Sequence, residues 1–183
     1  MSSSLLLWCV LAVCVFWSVG LYNRLMRLRA RGLSALGSVE KHMRVHVELV
    51  RHNMTGRAGV QVPKLDVQTP PDGWSSLLSA LQVFEDALKH TTAEALRSGV
   101  LEHLGQSFDA LKTAGHTLSE VPPGLAGPVV PATMRMQWDL VTQRVETARG
   151  GFNQIQIQYN EALGQFPARL VAGWMGFKPG GKL

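Results

Sequence analysis

An all-α fold, an N-terminal transmembrane helix followed by an up-and-down antiparallel four-helix bundle of long helices, is predicted by three features of the sequence. No charged side chain occurs from Met1 to Asn23, and Leu5 to Leu21 reads LLLWCVLAVCVFWSVGL. Apolar residues then recur at steps of three and four through most of the remainder, with no alternating stretch to compete. Two Pro/Gly-rich runs, 56–73 and 121–131, cut the chain into helical pieces. At 183 residues the chain has one-domain length and enough apolar content to bury a core. That content excludes collagen-like, mucin-like and wholly disordered classes. Cys9 and Cys14 both lie in the apolar stretch, which leaves no cysteine for a disulfide framework or a zinc knuckle.

The apolar stretch comes first in order. As a helix, Leu5 to Leu21 spans about 26 Å, close to the thickness of a hydrocarbon core of about 30 Å, and Ser2 to Ser4 and Tyr22 complete the crossing. Trp17 and Tyr22 suit the interface. Behind the stretch, residues 24–64 hold nine basic residues (Arg24, Arg27, Arg29, Arg31, Lys41, Arg44, Arg51, Arg57 and Lys64) against Glu40 and Glu48. This local +7 accounts for the +5 of the whole chain, the rest being −2. Positive charge behind a first span orients that side to the cytoplasm, which predicts an outside N-terminus and a cytosolic body. A cleaved signal peptide, cut after Gly20 to leave a secreted helical domain, is the rival; it lacks a basic leader, and the arginines oppose translocation.

The first helix continues past the span with Leu25, Leu28, Ala35 or Leu36, Val39, Met43, Val47, Val50 and Met54 on one stripe, and Gly56 and Gly59 stop it. Asp72 caps a second helix from about Trp74, with Leu77, Leu78, Leu81, Phe84, Leu88 and Ala95 inward. After a break at Ser98-Gly99, a third helix buries Leu101, Leu104, Phe108, Leu111, Ala114 and Leu118 and ends before Pro122-Pro123. The last long helix has the cleanest stripe: Met134, Trp138, Val141, Val145, Ala148, Phe152, Ile155, Tyr159, Ala162 and Phe166, stopped by Pro167. Gly150-Gly151 in its middle costs about 1 kcal/mol per glycine relative to Ala, which a close helix contact would explain. Helices of this kind bury their stripes best as an antiparallel bundle.

Tyr22-Asn23 at the end of the span, with Ala148-Arg149, Phe152-Asn153, Tyr159-Asn160, Phe166-Pro167, Leu170-Val171-Ala172 and Gly176-Phe177 at their particular spacing, resembles the LemA family of bacterial membrane-anchored proteins. The resemblance covers residues 5 to about 50 and 132 to 177. It makes the chain a divergent member: Val50-Arg51-His52-Asn53-Met54 and the 121–131 linker stand where the family carries Arg-Asp-Leu-Ile-Pro-Asn-Leu and Glu-x-Tyr-Pro-Asp-Leu. It implies an N-out anchor (1–23), a LemA-like cytosolic four-helix bundle (24–177) and no established biochemical activity. Residues 178–183 read as a flexible tail.

Among candidate sites, His42 and His46 stand four apart and suit a shared metal by spacing, but Arg44 lies between them and no zincin-type Glu or third ligand is evident. A solvated helix face is the simpler reading. GxSxG and Walker-type motifs are absent, and the acids are scattered singly apart from Glu85-Asp86, whose adjacent positions point in different directions. The basic cluster sits behind the span without interleaved aromatics, which favours anionic lipid headgroups over nucleic acid. In the aromatic-Asn pairs Tyr22-Asn23, Phe152-Asn153 and Tyr159-Asn160, the rings read as core and the amides as bonding a neighbouring helix. With four alternating helices, the last returns residues 168–177 toward Tyr22; with 74–120 as one helix, that segment ends far away.

The expected function is a membrane-anchored, non-enzymatic helical scaffold or protein-interaction module at the cytoplasmic face of the bacterial inner membrane. Its partners are the lipid bilayer and other membrane or membrane-associated proteins. Neither nucleic acid nor a cofactor or metal is expected, and homo-oligomers are compatible with the pattern. The alternative is a membrane-bound metal-dependent hydrolase using His42 and His46.

Overall fold

The structure, a computed structural model, describes residues 2–58, 72–93, 98–122, 130–166 and 168–183. It is all-helical among the described residues: α1 (Ser2–Ala58), α2 (Asp72–Ala93), α3 (Ser98–Glu120), α4 (Ala132–Gly164) and α5 (Ala168–Trp174). The predicted apolar stripes carry the core. Leu25, Leu36, Val39, Met43 and Val50 of α1 are buried, as are Leu77, Leu81, Phe84 and Leu88 of α2 and Leu101, Leu104, Phe108, Leu111 and Leu118 of α3; Leu78, expected inward beside Leu77, is instead exposed. From α4 come Met134, Val141, Val145, Phe152, Tyr159 and Ala162. Helix α1 runs through Gly56 to Ala58; most of the predicted 56–73 loop, Ala95, and the middle of the 121–131 linker lie outside the described residues.

Side-chain contacts fix the topology. His46 meets Trp138 and Thr142, and Leu25 shares a cluster with Tyr159 and Ala162, so α1 and α4 run antiparallel. Phe84 meets Phe108, and Gly73 at the start of α2 lies beside Leu118 near the end of α3. Lys112 reaches Glu146 and Arg149 reaches Asp109, so α3 and α4 are antiparallel too. The four long helices therefore alternate in direction, and the one-helix reading of 74–120 does not hold.

The hairpin of α2 and α3 is shorter than its partners, and it covers only the far half of the α1/α4 pair. Its residues belong to a main core with Leu36 to Val50 and Met134 to Phe152. The near half has a second core, formed by Leu21, Leu25, Tyr159, Ala162, Leu163, Ala168 and Ala172. There α5 takes the place of the hairpin. Helix α5 ends in a Schellman turn: Phe177 N–H donates to Ala172 O at 3.0 Å, Gly176 N–H to Gly173 O at 3.4 Å, and Gly176 has φ +73°. Phe177 packs against the cluster that contains Ala172, the apolar contact this turn favours.

Three expectations need correction. Gly150 and Gly151 face open space, with nothing near the position of an added Cβ, so no close helix contact explains them. Phe166 is not on the buried stripe of α4: the helix stops at Gly164, and Phe166 in the following turn is 83% exposed. Residues 178–183 are not a free tail, because five hydrogen bonds hold them to α4 and Leu183 enters the main core.

Candidate functional site

The end of the molecule where α1 leaves the bundle gathers most of the unusual chemistry. From Leu5 to Val19 the large apolar side chains of α1 are all exposed, while Leu21 is the first to be buried. One helix among the described residues is long and apolar enough to cross a membrane; its apolar window has a mean hydropathy of 2.3 and none of it is buried. Ser18 Oγ donates to Cys14 O at 2.8 Å, so this hydroxyl is satisfied within the helix without water. Arg24, Arg27 and Arg31 line a depression with Gln158, Glu161 and Gln165 of α4 and the following turn.

Helix α5 closes the same end. Phe177 meets Tyr22 edge-on with ring centroids 6.0 Å apart. Trp174 and Met175 line an apolar groove along α1 that reaches from Tyr22 up to Leu11, and Trp174 is 88% exposed. The helix-parity expectation is thus met: residues 168–177 return to the base of the apolar stretch.

Beyond the Schellman turn the chain reverses and runs extended along α4, toward its N-terminus. Asn160 embraces Gly180, its Nδ2 donating to Gly180 O and its Oδ1 accepting from Gly180 N–H, both at 2.9 Å. Asn153 does the same to Leu183, again at 2.9 Å in both directions. Tyr159 Oη donates to Lys178 O at 3.2 Å. Seven residues of helix advance about 10.5 Å and three residues of extended chain about 10 Å, so amides one heptad apart meet peptide groups three residues apart. Phe152 and Tyr159 are core residues as expected, but the amides next to them bind the 178–183 segment instead of a neighbouring helix. Asn23 is exposed.

Two glycines permit this approach. A Cβ on Gly105 of α3 would stand 3.1 Å from the Leu183 backbone, and one on Gly180 would collide with the buried Gln156. The energetics of docking nearly cancel. Fixing backbone costs about 1–2 kcal/mol per residue. Five hydrogen bonds return about 1 kcal/mol each and the Leu183 side chain about 2 kcal/mol.

His42 and His46 do not share a site. His46 is 1% exposed, edge-on to Trp138 at 4.7 Å and Phe108 at 5.5 Å. Its Nε2 shares a 3.2 Å hydrogen bond with Thr142 Oγ1, and its Nδ1 is buried without a partner. Burial pushes its pKa down to about 4, so the ring is neutral at pH 7. His42 stands at the surface beside Gln143, Arg144 and Thr147. No group of three or more His, Cys, Asp or Glu side chains suits a metal among the described residues.

At the far end, a cleft between α3 and α4 is lined by Gly115, His116, Met134, Trp138 and Asp139. Nearby ion pairs tie these helices. Asp109 takes Arg149 at 3.0 Å and Lys112 at 3.4 Å, and Lys112 reaches Glu146 at 2.8 Å. Burial alone would raise the Asp109 pKa, but the Arg149 and Lys112 contacts outweigh it and hold the carboxyl below its usual value.

No family model, curated protein or solved structure matches this chain. Sequence reasoning missed Gln156, Gly105, Gly180 and Leu183 as parts of one arrangement. The heptad spacing of Asn153 and Asn160, each following an aromatic residue, was the signal available.

Proposed function

We propose that this protein is a membrane-anchored, non-enzymatic helical scaffold or protein-interaction module at the cytoplasmic face of a bacterial inner membrane, and a divergent member of the LemA family. The observation that carries the reading is the continuity of α1. The large apolar side chains of one helix are exposed over Leu5–Val19, and from Leu21 onward the apolar stripe of the same helix is buried in the bundle. An apolar surface of that extent is unsuited to water and suited to hydrocarbon. The arginines behind it favour the cytoplasmic side and anionic headgroups. Trp174 and Phe166, exposed at the same end, suit the membrane interface. The proposed partners are the bilayer and other membrane-associated proteins, engaged through packing and electrostatics.

Labelling with a membrane-impermeant maleimide in intact cells tests this reading. In a Cys9→Ser/Cys14→Ser background, Ser3→Cys is expected to react from outside and Gly99→Cys only after permeabilisation. The reverse pattern, or loss of the span from the mature chain, overturns it.

A further inference from the structure

We propose that the groove of α4 that holds residues 178–183 is a peptide-receiving site, and that its exchangeable ligand is an extended segment of a partner protein carrying Gly at the Gly180 position and an aliphatic residue at the Leu183 position. The inference rests on the interaction-module reading and specifies the partner's chemistry.

Four observations lead to it. Recognition is directed at the main chain: Asn153 and Asn160 each pair with both polar groups of one residue, and Tyr159 takes a third carbonyl. Such contacts read an extended backbone and not its side chains, the logic by which a strand is added to a sheet edge. The helix spacing matches an extended chain every heptad, so any strand with the right residues at two points fits. Selectivity comes from those two points: a Cβ at Gly180 would force the buried Gln156 amide to move, and the Leu183 side chain fills a place in the main core. The groove also has a structural origin. The main core that the α2/α3 hairpin joins takes in Leu36 to Val50 of α1 and Met134 to Phe152 of α4, while the near half of that pair is packed by α5, and residues 178–183 lie along α4 between the two.

The resident segment, Lys-Pro-Gly-Gly-Lys-Leu, is a weak incumbent. Gly180 and Gly181 lose more freedom on ordering than any other residue type would, and Lys178, Pro179 and Lys182 remain exposed. Release breaks the five hydrogen bonds to α4 and withdraws Leu183 from the core, while α5 keeps its own contacts with Leu21 and Tyr159.

The test uses the full chain in lipid nanodiscs and a fluorescent Lys-Pro-Gly-Gly-Lys-Leu peptide blocked at both ends. Leu183→Asp places a charge where the core is apolar and is expected to eject the segment and open the groove. That variant should bind the peptide at least ten-fold more tightly than the wild type does. Adding Asn153→Ala or Asn160→Ala should each weaken binding by about ten-fold, since each removes two hydrogen bonds. A peptide with Asp in place of Leu should not bind. No binding by a Leu183→Asp chain of native helicity, or binding indifferent to both asparagines, overturns the proposal. Hydrogen exchange of the wild type is the second measurement and depends on no variant. Peptide at about 10 mM, comparable with the effective concentration of a short tether, should speed exchange at the Gly180 and Leu183 amides; unchanged exchange overturns the proposal. Wild-type dimers that vanish on Leu183→Asp would overturn it in favour of a second copy as occupant. A chain that maps to the cytoplasmic face yet ignores the peptide defeats the groove and leaves the scaffold reading intact.

Discussion

His46 is a buried imidazole with one unsatisfied nitrogen, and its environment makes stability depend on pH. Its pKa is about 4 in the folded protein against 6.5 ordinarily, so between these values the unfolded chain binds the extra proton. Stability is therefore complete above pH 6.5 and falls as pH drops toward 4, by about 3 kcal/mol over the window. Thermal melts from pH 7 to 4.5 should show this loss in the wild type and a much flatter profile in His46→Leu. Glycines give a second residue-level contrast. Gly150→Ala and Gly151→Ala, with open space around them, should each stabilise by about 1 kcal/mol through helix propensity. Gly115→Ala should destabilise, because its Cβ would run into the Trp138 ring and displacing a packed indole costs about 1–3 kcal/mol. Denaturant midpoints of the three variants check the opposite signs.

At the scale of elements, α5 and the segment after it complete a bundle that the shorter α2 and α3 leave unfinished. The α2/α3 hairpin is held by the Phe84–Phe108 contact within it and by the ion pairs from Asp109 and Lys112 to α4. Arg51 meets Glu85 across α1 and α2 at 2.9 Å, but an exposed pair of this kind is worth less than about 1 kcal/mol and serves mainly alignment. Helix α5 instead packs Ala168 and Ala172 onto Leu21 and Leu25, which points Trp174 outward beside the apolar stretch of α1. The proposed anchoring puts Trp174 at the bilayer surface. Trp174→Cys, labelled with a fluorophore in the Cys9→Ser/Cys14→Ser background, should be quenched by lipids carrying nitroxides near the headgroup. Absence of quenching would separate α5 from the membrane.

For the whole molecule, the proposed orientation depends on charge behind the span. Replacing Arg24, Arg27, Arg29 and Arg31 with Gln should yield a mixed population, read as partial labelling of Gly99→Cys from outside; unchanged protection would assign orientation to another cause. The helical class, the apolar stretch and the stripe from Met134 to Ala162 were legible in the sequence. Each follows from a local rule, since a helix's period and the cost of exposing apolar groups act within a few turns wherever the segment ends up. The limit of that legibility shows at Phe166, where the periodicity continues but the helix does not. Polar groups show it more sharply. An Asn amide bonds whichever backbone is brought beside it, and nothing near Asn153 or Asn160 in the sequence names residues 178–183. His46 likewise shares its spacing with His42 but not its burial, because the rings of Phe108 and Trp138 that enclose it arrive on other helices. The sequence by itself determined the helices and their apolar faces; only the tertiary structure decided which polar groups meet, because those partners are set by packing between distant segments.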